Sequence, residues 1–232
     1  MATGTVCAPT KNWFGKLTNM RAPVPSHSGI YKLHLEYSSA TIGSAEVIES
    51  VKLPDGLDRS EWIASQLCGI FEEVVQLVNV MLDVCTEDTC PRMNAGKYIH
   101  YAWADEHNPV ARKVSAPEYM RTLLSYAEER LADRTVMPVD GSPFPPEFEP
   151  MVKTVCKRIF RVYAHTYLSH FQIIRDQGVE GHLNCNFKHF YYFVKEFGLC
   201  TEEDMQPLGQ LIATFEENDR VNASKRASAA AA

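Results

Sequence analysis

The chain lacks a long hydrophobic run. Nowhere do about 18 apolar residues follow one another, as a bilayer-spanning helix requires, and the first residues carry no signal-type apolar stretch. Membrane insertion is therefore not expected. Positive charge is scarce, with 23 Lys and Arg against 29 Asp and Glu and a formal charge of −6. Nucleic-acid binding needs a basic surface that displaces counterions, so this balance argues against it. The signatures of common catalytic loops are missing too: there is no GxSxG, P-loop, GxGxxG or HExxH. His100, His107, His182 and His189 have no sequence-linked Cys or Ser to define a nucleophile, and no enzyme activity is expected. No Pro- or Gly-rich linker and no internal repeat divides the 232 residues, so a single domain with one large core is preferred. The seven cysteines are odd in number and follow no secretory signal. Reduced thiols in cytosol or nucleus fit better than a disulfide framework.

What is present reads as helix. Residues 1–29 mix Pro, Ser, Thr and Gly without apolar periodicity and are expected to be flexible. The first strong element opens at Asp58-Arg59-Ser60-Glu61, which resembles a capping box, and its apolar residues recur at three-four spacing from Ile63 to Leu82. A second helix opens at Ser115-Ala116-Pro117-Glu118 and a third follows the segment SPFPPEFEP. A fourth, rich in aromatic residues, runs from about Asn184 to Phe197 and stops at Gly198, a suitable left-handed cap. A short last helix starts after Thr201, and the polar stretch from Glu216 to Ala232 is expected to be a disordered tail. Residues 97–114 alternate enough for a small hairpin. The expected architecture is an all-α bundle of four main helices plus shorter ones.

Two pairs of residues suggest a metal. Cys85 and Cys90 are spaced C-x4-C, and His165 and His170, on the third helix, are spaced H-x4-H. Two thiolates and two imidazoles suit a closed tetrahedral Zn2+ site that is structural, with no position open to water or substrate. The loop from Cys90 to His165 spans 75 positions (165 − 90), so a metal there would organise most of the domain. Residues five apart on an ideal helix, however, point about 140° away from each other. The histidines can converge only if the helix is distorted or the metal lies beside it. Spacing alone leaves equal room for two partly buried histidines and two ordinary thiols.

Two further groups carry chemistry. Lys157, Arg158 and Arg161 sit at helical spacing on one flank and together suit a dianionic phosphate, although a solvated charged face has the same pattern. Glu61 and Trp62 open the first long helix beside Asp55 and Asp58, where Trp62 either anchors a basic helical partner or covers the core.

These residues lie in segments that resemble the Mob (Mps-one-binder) family of kinase co-activators. The resemblance runs from about Ala40 to Phe215, through ATIGS at 40–44, LPDGLDRSEWIA at 53–64, CTEDTCPRMNAG at 85–96 and SAPEYM at 115–120. It continues through PFPPEF at 143–148, KRIFRVYAHTYLSHF at 157–171 and HLNCNFKHFYYFVKEFGL at 182–199. It implies a Mob-type helical bundle over residues 30–215 with one structural zinc on Cys85, Cys90, His165 and His170. It implies that Lys157, Arg158 and Arg161 read phosphothreonine motifs on upstream kinases or scaffolds. It also implies that Glu61, Trp62 and His189 contact the basic N-terminal regulatory segment of an NDR/LATS-type kinase, and Thr41 matches a threonine phosphorylated in some members.

The function implied is that of a monomeric, non-catalytic adaptor acting in cell division, cytokinesis or Hippo-like signalling. It would work in the cytoplasm, and also in the nucleus or at division structures. The implied alternative is a scaffold that binds phosphoproteins without activating a kinase. One departure bears on partner choice: Leu57 and Gly69 stand where the co-activator subgroup typically has acidic residues.

Overall fold

The computed structural model describes residues 44–230, with side chains over 47–229. Thr41 and the segment 1–29, expected to be flexible, lie outside the described residues. In chain order the elements are α1 (Ser44–Val51), α2 (Arg59–Leu82), four two-residue strands, α3 (Ala116–Ala132) and α4 (Phe148–His165). A π segment at Thr166–His170 then leads to α5 (Phe171–Asp176), α6 (Glu180–Phe197), α7 (Glu202–Met205), a 3-10 turn and α8 (Gly209–Ala230). The strands are β1 (Asn94–Ala95), β2 (Ile99–His100), β3 (Ala102–Trp103) and β4 (Arg112–Lys113).

Local chemistry sets the helix starts. Asp58 caps α2, accepting from the backbone N–H groups of Ser60 and Glu61 at 2.8 and 3.1 Å. Ser115 caps α3 by accepting from Glu118 N–H at 3.2 Å, with Pro117 in the first turn, where its missing N–H costs nothing. Thr201 and Asp204 form a reciprocal capping box at α7. Gly198 ends α6 at φ 64°, the left-handed conformation that its lack of a Cβ permits.

The chain divides into two compact units. The first holds 53–93 and 100–162, and within it α2 packs on α3. Ile63, Leu67, Ile70, Val74, Leu77, Val78 and Met81 form the buried stripe of α2, close to the period read in the sequence. By length and composition α2 is apolar enough to cross a membrane, but that stripe is core and Glu72 and Glu73 interrupt the rest. β3 pairs antiparallel with β4, Trp103 opposite Arg112, which is the small hairpin expected over 97–114. The second unit holds 44–52, 94–99 and 163–230, with α1 packed on α6 and α8. Its core is aromatic: Phe187, Phe190, Phe193 and Phe215 are fully buried, and Tyr163 stands 5.2 Å from Phe187 between ring centroids. Each such side chain contributes roughly 1.5–3 kcal/mol by leaving water.

The structure corrects the sequence reading in three places. α1 escaped it, because eight residues offer only Val47, Ile48 and Val51 as periodic apolar positions. α6 begins at Glu180, four residues before the expected start, with no capping side chain to mark the place. The polar stretch from Glu216 is not a disordered tail: α8 is 22 residues long and continues the helix to Ala230, a fifth long helix beside the four expected. The polarity there misleads because two of the acids bond to α6. Asp219, only 7% exposed, accepts from Lys188 Nζ and from Tyr192 Oη at 2.6 Å each, and Glu216 accepts from Tyr191 Oη at 2.6 Å.

Candidate metal centre and basic cleft

The turn after α2 builds one half of the metal centre. Cys85 N–H donates to Met81 O at 2.7 Å and Cys90 N–H to Thr86 O at 2.8 Å. Thr86 and Thr89 close the CTEDTC loop reciprocally, each backbone N–H bonding to the other's hydroxyl at 2.9 and 3.2 Å. The two thiols are thereby turned toward each other.

The histidine half depends on a helix defect. At Thr166–His170 the backbone leaves α geometry for a π turn, and His170 follows at φ −130°, ψ 2°. A π turn bonds i to i+5, so side chains five apart come onto one side instead of diverging. The imidazole centroids of His165 and His170 stand 5.1 Å apart as a result. The distortion required by the H-x4-H spacing is present.

The ligand atoms of Cys85, Cys90, His165 and His170 all lie within 4.8 Å of one another, and all four residues are buried. Tetrahedral bonds of about 2.0–2.3 Å would set these atoms ~3.3–3.8 Å apart, so a small contraction around one ion suffices. The set fits a soft or borderline divalent metal with every position filled by protein. Without metal, the hydrogen bond with Cys90, followed by burial, pushes the Cys85 thiol far above its ordinary value. Metal binding must therefore release protons here.

Asn94 joins the candidate site, and the sequence reading did not single it out. Its carbonyl oxygen is 2.9 Å from His165 Nδ1, which must donate to it, leaving Nε2 for the metal. Ser169 Oγ donates to Asn94 Oδ1 at 3.2 Å and holds the amide in place. Asn94 is 71 positions from His165, and no local pattern points to it.

The basic cluster lines a cleft. On α4, Lys153, Thr154, Lys157, Arg158 and Arg161 face a cavity of about 320 Å3 whose other wall is Ala102, Trp103 and Ala104. The structure thus brings Lys157, Arg158 and Arg161 together and adds Lys153, which also pairs with Glu149 at 3.0 Å. Arg158 stacks over Trp103 and Tyr126, at 4.2 and 4.1 Å, and donates Nη2 to Ala104 O at 2.6 Å. Arg161 donates Nη1 to Tyr119 Oη at 3.1 Å and lies 4.8 Å over Tyr101. Burial raises the Tyr119 hydroxyl above its ordinary value despite Arg161 beside it, so the phenol stays neutral.

Glu61 is exposed and Trp62 half-buried on the first turn of α2, and exposed Leu57 precedes them. His189 is half-buried on α6, in the second unit. Among the described residues no disulfide joins Cys68, Cys85, Cys90, Cys156, Cys185 or Cys200.

The family model for the Mob1/phocein family matches residues 39–208. MOB kinase activator-like 1 homolog A of Dictyostelium discoideum is 41% identical over 211 residues, 89% of this chain and 99% of the relative. MOB kinase activator-like 1A of Arabidopsis thaliana is 43% identical over 198 residues, 84% of this chain and 90% of the relative. Maintenance of ploidy protein mob1 of Schizosaccharomyces pombe is 37% identical over 179 residues, 76% of this chain and 85% of the relative. A match of this extent, over segments that include all four metal-site residues and the basic cleft, establishes that the chain belongs to the Mob1/phocein family.

Proposed function

We propose that this chain is a non-catalytic adaptor that activates a protein kinase of the NDR/LATS type while holding a phosphothreonine motif of an upstream kinase or scaffold. The observation that carries the reading is the cleft beside α4, where four cations converge on one cavity in a chain of net charge −6. Concentrating positive charge there, against the overall balance, suits a dianionic ligand. The kinase half rests on the relatives, named as kinase activators, and on Glu61 and Trp62 at the start of α2. A basic amphipathic segment would bury apolar surface on Trp62 and pair at its rim with Glu61. His189, in the second unit, would make its own contact with the kinase. Activation then requires only that the adaptor bind the active arrangement of the kinase more tightly than the inactive one.

The metal in this reading is one Zn2+, held by Cys85, Cys90, His165 and His170 and supplying cross-linking rather than chemistry. The chain works as a monomer in the cytoplasm, with access to the nucleus or division structures. The fission-yeast relative is named for maintenance of ploidy, which supports a role in cell division. Thr41 would serve as a phosphorylation site for the upstream kinase.

The test is a binding series against N-terminal segments of NDR-type kinases at rising ionic strength, with Glu61→Lys alongside. Binding weakened by Glu61→Lys supports the kinase face. With Leu57 and Gly69 in place of acids, its dependence on salt should be modest. Unchanged affinity for every segment in Glu61→Lys removes this surface from the account. A phosphoprotein scaffold that activates no kinase then becomes the better reading.

A further inference from the structure

One contact set in the cleft is more elaborate than a solvated charged face requires. Arg158 packs against two aromatic faces, Trp103 and Tyr126, whose planes stand at 80° to each other. The guanidinium is therefore wedged into an aromatic corner, with Nη2 spent on Ala104 O. Its Nη1 is buried and has no hydrogen-bond partner among the described residues. Arg158 also lines the cavity, and a charged donor buried without an acceptor is costly.

The corner is itself braced. Trp103, 1% exposed, donates Nε1–H to Asp105 Oδ2 at 2.6 Å. The other carboxylate oxygen of Asp105 accepts the backbone N–H groups of His107 and Asn108 at 3.0 and 2.7 Å and so fixes the β3–β4 loop. Tyr126 is held edge-on to Trp103, with ring centroids 5.9 Å apart. A free arginine loses much rotamer freedom when it grips an anion, whereas this one has already lost it.

We propose that Trp103, fixed by Asp105, is a positioning residue that pre-orients Arg158 so that the cleft takes a phosphate dianion and discriminates against a carboxylate. This rests on the reading of the cleft as a phosphate site and adds the device that sets its selectivity. A phosphoryl group offers three acceptor oxygens and up to two charges, enough to engage the fixed guanidinium and the neighbouring cations together. The single charge and two oxygens of Asp or Glu cannot. Binding should therefore follow the second ionisation of the phosphate, near pH 6, and fade below it.

The experiment uses the full chain and three forms of one peptide: phosphothreonine, unmodified threonine, and glutamate in its place. Affinities are measured for wild type, Trp103→Leu, Trp103→Phe, Arg158→Ala and the double variant Trp103→Leu/Arg158→Ala, with thermal unfolding as the check on folding. Trp103→Leu should weaken the phosphopeptide about tenfold, and Trp103→Phe, which keeps a ring, should recover part of the loss. If Trp103 acts through Arg158, the double variant binds no worse than Arg158→Ala alone. Asp105→Asn, outside the core, provides the second route should Trp103→Leu fail to fold, and it should weaken the phosphopeptide in the same direction. Equal phosphopeptide affinity in the folded Trp103 and Asp105 variants, or additive losses in the double variant, overturns this inference and leaves the phosphate reading standing. No preference of the wild-type chain for the phosphorylated peptide overturns both.

Discussion

Replacing Asp219 by Ala should destabilise the second unit far more than a polar residue near a chain end normally would. Lys188 is 1% exposed and Asp219 5% at their side chains, and the ammonium and carboxylate are 2.6 Å apart. The carboxylate also accepts from Tyr192 Oη, and the ammonium lies 5.0 Å over the Phe215 ring. Removing the carboxylate strands a buried cation and leaves a tyrosine hydroxyl without its acceptor. Breaking such a pair costs about 3–5 kcal/mol, whereas an exposed pair would cost at most about 1. For a chain of this length that corresponds to a fall in Tm of roughly 6–20 °C. Urea and thermal unfolding of the metal-loaded protein, followed by circular dichroism, measure it. The double replacement Lys188→Met/Asp219→Leu removes both charges and should recover most of the loss. A Tm drop below about 2 °C in Asp219→Ala would refute the burial argument, and with it the role of α8 as a packed helix.

Cys85→Ala or His165→Ala should lose the bound metal and broaden or abolish cooperative unfolding, read by metal analysis of the purified protein and by calorimetry. Lys157→Ala/Arg158→Ala should weaken a phosphothreonine peptide by tenfold or more, since each charge-assisted contact is worth roughly 1.5–3 kcal/mol, while metal content stays the same. In acid, Glu149 and Asp105 matter: Lys153 and Arg59 hold the first below its ordinary value, and Trp103 and the Asn108 N–H hold the second below its own. Their folded values are depressed, so their contribution is present above the unfolded values of 4.5 and 3.8 and is lost as pH falls through the folded ones. At the alkaline end, burial and bonds to Glu216 and Asp219 raise Tyr191 and Tyr192, so unfolded phenols ionise first and stability declines as pH rises above the ordinary value of 10.0. Denaturation midpoints across pH check both limbs.

The long helices were legible because their signals are local: Asp58 and Ser115 are caps, Gly198 is a stop, and the stripe from Ile63 to Met81 has the helical period. The four metal-site residues were legible as residue types, but whether H-x4-H could converge was not. That depended on a π turn, which no periodicity specifies. Asn94 was invisible because it acts through a carbonyl, a group that every residue carries. The extent of α8 was misread because polarity usually means solvent, and Asp219 becomes a buried residue only once Lys188 and Tyr192 face it from α6. Lys153 and Trp103 joined the cleft for a similar reason: β3 meets α4 across 50 positions of intervening chain (153 − 103).

The account turns on activation of a kinase by an adaptor. The direct measurement is the phosphoryl-transfer rate of a full-length NDR/LATS-type kinase titrated with this chain, metal-loaded, in the wild-type and Glu61→Lys forms. The account predicts a saturable rise in kinase activity with wild type, a much smaller one with Glu61→Lys, and no turnover by the chain alone. Tight binding with kinase activity flat across the titration would contradict it.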